Sequence, residues 1–262
     1  MAWTCTGTSN AELVDNLVRN GLLTTPRVIE AFKAVDRRHY VRDGHYAYVD
    51  SPSSLGYNAT ISAPHMHAHA VENLEPFLRP GHHVLDIGSG SGYLLSIFHK
   101  LVCSPSRLAR EGGEGGGGGE PSGTVLGIDH LSELVSLARS NLARDPTTRS
   151  LVQPEDDPPS LERPISNIAS DGRLGAPRAF VPRGGYSAIH VGAAAPTIPE
   201  PLIEQLARPG RMFIPVGPDR GSQSIIQVDR GEDGTVSTKE LFGVNYIPLT
   251  DAENQRYASS VY

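Results

Sequence analysis

Residues 83–93, HVLDIGSGSGY, decide the fold of this chain. The first five have the apolar pattern of a short buried strand, and glycines follow at Gly88, Gly90 and Gly92. A helical pattern then continues over about 93–101. Glycines at a strand-to-helix turn let the main chain bend sharply and let a ligand approach it closely. The stretch therefore predicts the first unit of an α/β sheet that binds a nucleoside.

Strand and helix patterns alternate on the C-terminal side of this unit. Alternation at these lengths is typical of a parallel, doubly wound sheet. We therefore predict the α/β class, with a doubly wound, mostly parallel, Rossmann-like sheet. The predicted elements are a strand over 124–129, a helix over about 131–143, and strands over 187–191 and 211–216.

Two amphipathic helices are predicted near the N-terminus. Ser9 and Glu12 have the spacing of a capping box at the start of the first helix, and Gly21 supplies its end. Pro26 is well placed in the first turn of the second helix. Residues 36–58 are turn-rich and aromatic, and we interpret them as a loop region folded against the domain.

We predict one domain over 1–262. Its N-terminal part, 1–80, forms a helical region on the substrate side, and 81–262 forms the cofactor-binding core. Two stretches interrupt the alternating pattern of the core: the glycine-rich 104–123, which contains EGGEGGGGGEPSG, and the proline-rich 145–167. Both are interpreted as insertions on the surface, because such compositions do not offset the entropy of their own ordering.

Composition excludes several classes of protein. The net charge is −6 and the pI is about 5.9, so no basic face for nucleic acid is expected. No apolar run approaches the ~20 residues that span a bilayer, and no secretory signal is visible. Cys5 and Cys103 lie in unrelated contexts, which favours two reduced thiols. We expect a cytoplasmic monomer that binds neither nucleic acid nor membrane.

Two acids at strand ends indicate which cofactor the glycine loop binds. Asp129 lies 37 residues after Gly92, and this separation is 19 when the 18 inserted residues 106–123 are left out. An acid that binds ribose hydroxyls is expected about 20 residues after the glycine loop, so Asp129 is a candidate for that role. Asp86 ends the strand just before the loop. Its carboxylate would repel a pyrophosphate but suits an ammonium or a sulfonium. S-adenosylmethionine therefore fits better than a dinucleotide, which disfavours a nicotinamide oxidoreductase.

The segment 59–70, ATISAPHMHAHA, leaves three interpretations open from its residues alone: a metal site, a serine nucleophile with a base, or a wall of the cofactor pocket. A helix is predicted from Pro64 to about residue 78, and on it His65 and His69 share a face while His67 points elsewhere. Three ligands would not converge, so no metal site is predicted. Ser62 lacks a GxSxG elbow, and the histidines lack an evident orienting acid.

The chain resembles the class I methyltransferases, and in particular the protein-L-isoaspartate O-methyltransferase family. The first resemblance is carried by DIGSGSGY and GIDH, and the second by motifs spread over nearly the whole chain in one order. These are MAW (1–3), DRRHY (36–40), ATISAPHMHA (59–68), SDGR (170–173), AIHVGAAAP (188–196), IPVGP (214–218) and YIPLTD (246–251).

The resemblance implies an enzyme that methylates the free carboxyl group of L-isoaspartyl residues in damaged proteins and peptides, with S-adenosylmethionine as methyl donor. It implies Ser62 as the active-site hydroxyl and His67 beside it, with Val216 shaping the isoaspartyl pocket. The implied cofactor-site residues are Ala59, Thr60, Ile61, Ser62, His67, Asp86, Gly88, Ser89, Gly90, Asp129, His130, Asp171, Gly172, Thr250 and Gln255.

The implied chemistry suits these residues. A carboxylate with a pKa near ~4 is ionised at neutral pH, so it needs positioning rather than a strong base. Ser187 departs from the family, which usually has an acid there, and this puts in doubt a polar role at that strand start. The alternatives are a class I methyltransferase for another small carboxylate or amine, and a protein that binds S-adenosylmethionine and isoaspartyl peptides without turnover.

Overall fold

The computed structural model describes residues 5–103, 123–152, 159–160, 162–218, 221–249, 253 and 255. The α-helices in this part of the chain are α1 (Asn10–Arg19), α2 (Pro26–Ala34), α3 (Pro64–Leu74), α4 (Tyr93–Val102), α5 (Ser132–Arg144) and α6 (Glu200–Gln205). The strands are β1 (Ser53–Gly56), β2 (Ala59–Ile61), β3 (His83–Ile87), β4 (Thr124–Asp129), β5 (Ile165–Ala169), β6 (Tyr186–Val191), β7 (Leu206–Val216), β8 (Gln223–Arg230) and β9 (Val236–Val244).

A seven-stranded sheet forms the centre of the molecule. Its spatial order is β5-β4-β3-β6-β7-β8-β9. The first five strands in this order are parallel, and β8 and β9 are antiparallel to their neighbours. The predicted α/β class and mostly parallel sheet are confirmed. Because β4 lies on one side of β3 and β6 on the other, the chain reverses its winding at β3, where open α/β sheets bind ligands.

Apolar side chains cover both faces of the sheet. In β3, Val84 belongs to the hydrophobic cluster that also contains residues of α1, α2 and α4. Its neighbour Leu85 belongs to a second cluster on the opposite face, together with Leu202 of α6. This alternation follows from the two-residue period of a strand. The N-terminal helices therefore share a core with the sheet, while the division of one domain at residue 80 stays a prediction.

Several elements differ from the sequence prediction. The prediction of a surface loop over 145–167 is wrong at both ends. At the C-terminal end, β5 begins at Ile165. At the N-terminal end, Asp145 is buried and accepts a hydrogen bond of 2.6 Å from the Tyr40 hydroxyl. The predicted loop 36–58 contains β1 and two short 3-10 turns. Strands β8 and β9 have no counterpart among the predicted elements.

Smaller differences concern the ends of elements. Helix α3 ends at Leu74 and a 3-10 turn follows it, and β7 begins at Leu206 rather than at residue 211. The capping box is only half formed: the Ser9 hydroxyl accepts from the Glu12 N–H, but the Glu12 carboxylate accepts from Thr8. The glycine-rich stretch 104–123 lies, except for residue 123, outside the described residues. None of the described helices combines the length and hydrophobicity needed to cross a lipid bilayer.

Candidate active site

A cavity of about 310 Å³ opens at the carboxyl ends of β3, β4 and β6. Its walls are the glycine loop with the strand ends, the segment between β2 and α3, and the chain after β9. The volume lies in the range of small-molecule sites. The lining residues are Pro52, Asn58, Ala59, Thr60, Ser62, Ala63, Met66, Ile87, Gly88, Gly90, Ile128, Asp129, His130, Leu134, Asp171, Gly172, Gly192, Ala193, Asn245, Tyr246, Ile247, Pro248, Leu249 and Gln255.

The glycine loop has the conformation that its sequence predicts. Gly88 and Gly90 have φ angles of +74° and +48°, which few other residues adopt. A Cβ on Gly88 would lie 3.8 Å from the main chain of Gly192, in the loop after the neighbouring strand β6. Two strand ends thus approach each other closely at the point where the winding reverses, and both loops line the cavity.

Asp129 is a buried carboxylate among the residues that line the cavity. Its two carboxylate oxygens accept separate hydrogen bonds of 3.2 Å from the main-chain N–H groups of Gly90 and Leu131. The side chain is buried, and this burial raises the pKa of Asp129. An ionised carboxylate has about four acceptor sites, so acceptor capacity remains for a ligand hydroxyl. The carboxylate therefore fixes the glycine loop and keeps capacity for a ribose.

Asp86 precedes the glycine loop and Ser89 lies within it, and neither is among the cavity-lining residues. The carboxylate of Asp86 is 2.6 Å from Nδ1 of His190 and is buried. The cause is the register of the parallel strands, which places His190 of β6 directly opposite Asp86. The Ser89 hydroxyl bonds to Asn167 at 3.1 Å. The structure thus differs from the expectation that the Asp86 carboxylate faces the ligand.

Ser62 forms the cavity wall between β2 and α3. Pro64 opens α3 two residues later, so the Ser62 carbonyl lies outside the helix. This carbonyl accepts a 2.8 Å hydrogen bond from the guanidinium of Arg37. The Ser62 hydroxyl lies near the phenol of Tyr246, whose pKa is raised to about 12 by burial. The main chain of Ser62 is therefore held by Arg37, while its side chain lies beside Tyr246.

The three histidines of α3 have three different partners. His65 is oriented by buried Asp50, with 2.7 Å between Nδ1 and the carboxylate, so the expectation that no acid orients these histidines is wrong. His67 is buried against Arg37. His69 packs against the ring of Phe242, with 4.8 Å between the centroids.

None of the three histidines is among the residues that line the cavity. The expectation that the His67 ring faces the cavity therefore differs from the structure: the α3 residue that lines it is Met66, and Ile61 is likewise buried behind the wall. Within the described ranges, no group of three His, Cys, Asp or Glu side chains is placed to hold a metal ion.

The far end of the cavity is built from a turn after β5 and from the C-terminal segment. Asp171 caps a 3-10 turn and pairs with the Arg173 guanidinium at 2.7 Å. A Cβ on the next residue, Gly172, would lie 2.4 Å from Cγ2 of Ile87, so only glycine fits at this place in the cavity wall. Both Asp171 and Gly172, which the family resemblance implies as cofactor-site residues, line the cavity.

Gln255 ties the C-terminal segment across the cavity. Its side-chain oxygen pairs with Nε2 of His130, and its amide nitrogen donates to the Tyr57 carbonyl at 2.8 Å. Val216 lies at the end of β7, where it bridges to Ala195, and is not among the lining residues. The predicted site residue Thr250 lies outside the described residues.

Several lining residues are absent from the set predicted by sequence. Met66, Gly192, Ala193 and the run 245–249, which includes Tyr246, line the cavity, but none was predicted as a site residue. A signal for them exists, because the motifs AIHVGAAAP and YIPLTD contain most of them.

Comparisons with known proteins agree on one family. The family model for protein-L-isoaspartate(D-aspartate) O-methyltransferase matches residues 8–254. A relative from Triticum aestivum named protein-L-isoaspartate O-methyltransferase is 41% identical, with 94% of this chain and 93% of that protein covered. A relative of the same name from Caenorhabditis elegans is 39% identical, with 97% and 98% covered.

A solved structure resembles the whole chain. It is a putative protein-L-isoaspartate O-methyltransferase from Plasmodium falciparum in complex with S-adenosyl-L-homocysteine, with a TM-score of 0.74 and 27% identity, covering 93% of this chain and 99% of that one. The sheet order, the glycine loop and the acid at the end of β4 define a class I methyltransferase. Within this class, the chain belongs to the protein-L-isoaspartate(D-aspartate) O-methyltransferase family.

Proposed function

We propose that this enzyme transfers the methyl group of S-adenosylmethionine to the free carboxyl group of L-isoaspartyl residues in damaged proteins and peptides, which begins their repair. One observation carries the proposal: Ser62, in the family's ATISAPHMHA segment, lines the same cavity as Asp129. A single cavity that joins a ribose-binding carboxylate to an orienting hydroxyl suits transfer from a nucleoside cofactor to an acceptor held beside it.

The described residues fit S-adenosylmethionine. We infer that Asp129 and His130 bind the ribose, that Asp171 and Gly172 lie beside the adenine, and that the main chain of the glycine loop lies along the remainder of the cofactor. The fit is supported by Gly172, where any side chain would collide with Ile87, and by the open acceptor capacity of Asp129. When bound, S-adenosylmethionine supplies an electrophilic methyl group on a sulfonium and leaves as S-adenosylhomocysteine.

The protein's own contribution is to position the acceptor and to exclude water. The acceptor carboxylate is already ionised at neutral pH, since its pKa is near ~4, so no side chain has to remove a proton. The Ser62 hydroxyl lies near Tyr246 and can donate to one carboxylate oxygen, leaving the other to form the ester bond. Half-buried Tyr246 and the apolar Met66 limit the access of water to the acceptor end of the cavity.

A labelling assay tests the proposal. The enzyme is incubated with S-adenosylmethionine radiolabelled in its methyl group and with two peptides that differ only in isoaspartate or aspartate at one position. We expect base-labile methyl ester on the isoaspartyl peptide alone. Label on both peptides, or on a small amine, would favour the alternative of a methyltransferase with another acceptor. Tight cofactor binding without any label would favour the non-catalytic alternative.

Location and assembly are further parts of the proposal. We propose a cytoplasmic monomer without affinity for nucleic acid, the last part supported by a net charge of −6. Light scattering of the purified enzyme and fractionation of its source cells check these two statements.

A further inference from the structure

Arg37 is a buried charge that the mechanism above does not use. It lies in the DRRHY motif, in a 3-10 turn over Arg37–Tyr40, and only 1% of it is exposed. Among the described residues, no carboxylate lies within ion-pair distance of its guanidinium, and its Nε has no hydrogen-bond partner. Burying a cation without a paired anion is unfavourable, because the charge loses its hydration. Such a cost calls for a role beyond packing.

The guanidinium bonds to two elements of the cavity wall. One terminal nitrogen donates to the Ser62 carbonyl at 2.8 Å, and the other lies 3.2 Å from Nδ1 of His67. The plane also stands over the ring of Tyr93, 5.5 Å from its centroid. One terminal nitrogen of the planar guanidinium thus bonds to the segment before α3, and the other bonds to the first turn of α3. Because the guanidinium is rigid, these two bonds fix the orientation of the segment relative to the helix.

His67 is the acceptor in this arrangement. Burial lowers the pKa of His67 well below its ordinary value, and the positive charge of Arg37 lowers it further. The ring is therefore neutral, and its Nδ1 lone pair accepts from Arg37 while Nε2 carries the proton. His67, the most buried histidine of α3, thus holds Arg37 rather than a ligand.

We propose that Arg37 is a positioning residue that fixes Ser62 through its main-chain carbonyl and thereby sets where the Ser62 hydroxyl meets the acceptor carboxylate. This inference rests on the proposed function. Arg37 donates to the main-chain carbonyl of Ser62, and the Ser62 hydroxyl lies near the phenol of Tyr246. Without Arg37, the segment between β2 and α3 loses this hydrogen bond and can shift relative to the cavity.

Arg37→Lys tests this role, because lysine keeps the charge but not the fork. A misplacement of about 1 Å costs on the order of 100-fold in rate, so we expect kcat to fall about 10- to 100-fold. The affinity for S-adenosylhomocysteine should stay within about twofold, since Arg37 does not line the cavity. Arg230→Lys is the matched control: Arg230 also donates to main-chain carbonyls, those of residues 203, 204 and 206, away from the cavity.

A double-mutant cycle with Ser62→Ala separates positioning from general damage. If Arg37 acts through Ser62, Arg37→Lys should lower the residual kcat of Ser62→Ala by less than about threefold. Equal fold losses in both backgrounds would overturn the proposal, and so would a wild-type kcat in Arg37→Lys. The wild-type enzyme is assayed first with the isoaspartyl peptide, so a failure of the proposed function shows itself separately.

A second variant and a structural readout cover the case in which Arg37→Lys does not fold. His67→Phe keeps a ring against Tyr93 but removes the acceptor for Arg37, and its effect on kcat should likewise vanish in the Ser62→Ala background. A crystal structure of either variant should show the Ser62 carbonyl displaced. A Ser62 that stays in place in both variants would contradict the proposal whatever the activity.

Discussion

Asp129→Asn should weaken cofactor binding far more than its small change in shape suggests. The two oxygens of Asp129 each accept from a different main-chain N–H, one from Gly90 and one from Leu131. An asparagine has only one acceptor oxygen, so in either orientation its NH2 group faces one of these donors. The substitution therefore breaks a contact that shapes the glycine loop and also removes the charge that we propose binds the ribose.

The expected magnitude follows from these two losses. A hydrogen bond to a charged group contributes about 1.5–3 kcal/mol, and a donor left without a partner costs about 1–3 kcal/mol. The donor left without a partner mainly lowers the stability of the protein and of its glycine loop. The lost hydrogen bond to a charged group weakens binding, so the Kd for S-adenosylhomocysteine should rise roughly 10- to 150-fold.

Isothermal titration calorimetry measures this effect directly. Asp229→Asn is the matched control, because the Asp229 carboxylate pairs with Arg211 on β7, away from the cavity. The pH dependence offers a second check. Burial raises the pKa of Asp129, so wild-type affinity should fall as the pH drops through that value, while Asp129→Asn should lack this component. A folded Asp129→Asn variant whose Kd changes by less than about threefold would refute the assignment.

Three other variants test separate parts of the mechanism and the fold. Ser62→Ala should lower kcat about 10- to 100-fold and leave the Kd for S-adenosylhomocysteine within about twofold, as single-turnover assays and calorimetry will show; equal losses in both would remove Ser62 from its role. Gly172→Ala places a Cβ 2.4 Å from Ile87, so it should lower the free energy of unfolding in urea by about 1–3 kcal/mol and weaken cofactor binding. A variant with unchanged stability and binding would mean that the side chain of Ile87 moves to accommodate the Cβ. Burial alone raises the pKa of Asp50, but hydrogen bonds from His65 outweigh it and lower the pKa overall. Ionised Asp50 therefore stabilises the fold above its unfolded pKa of about 3.9, and this stability is lost as the pH falls through the lower folded value. Asp50→Asn should be less stable than wild type at neutral pH and lose less on acidification, whereas parallel curves of unfolding free energy against pH would contradict this.

The central part of the fold was predictable because its signals are local. A glycine loop between an apolar strand and a helix, and an acid at the end of the next strand, predicted β3 and β4 and brought Asp129 into one predicted nucleoside site. Strands β8 and β9 escaped prediction because they are partly exposed, so they lack a continuous apolar run. Strand β5 was hidden by the proline-rich stretch before it.

The errors in the site have a common physical cause. Asp86 and His67 were both expected to face the ligand, and each instead faces a partner from a distant part of the chain, His190 and Arg37. The strand that lies beside β3 and the turn that packs behind α3 are set by tertiary contacts. Local sequence patterns do not predict such contacts. Ser62 and Gly172 were placed correctly in the cavity wall because the family motifs contain them.

The central claim is that one cavity brings together the cofactor and the isoaspartyl carboxylate. A crystal structure of the enzyme with S-adenosylhomocysteine and an isoaspartyl peptide tests it most directly. We expect the ribose on Asp129, the adenine beside Gly172, and the peptide carboxylate within hydrogen-bond distance of the Ser62 hydroxyl. A peptide carboxylate bound elsewhere, or a cofactor that does not touch Asp129, would contradict the claim.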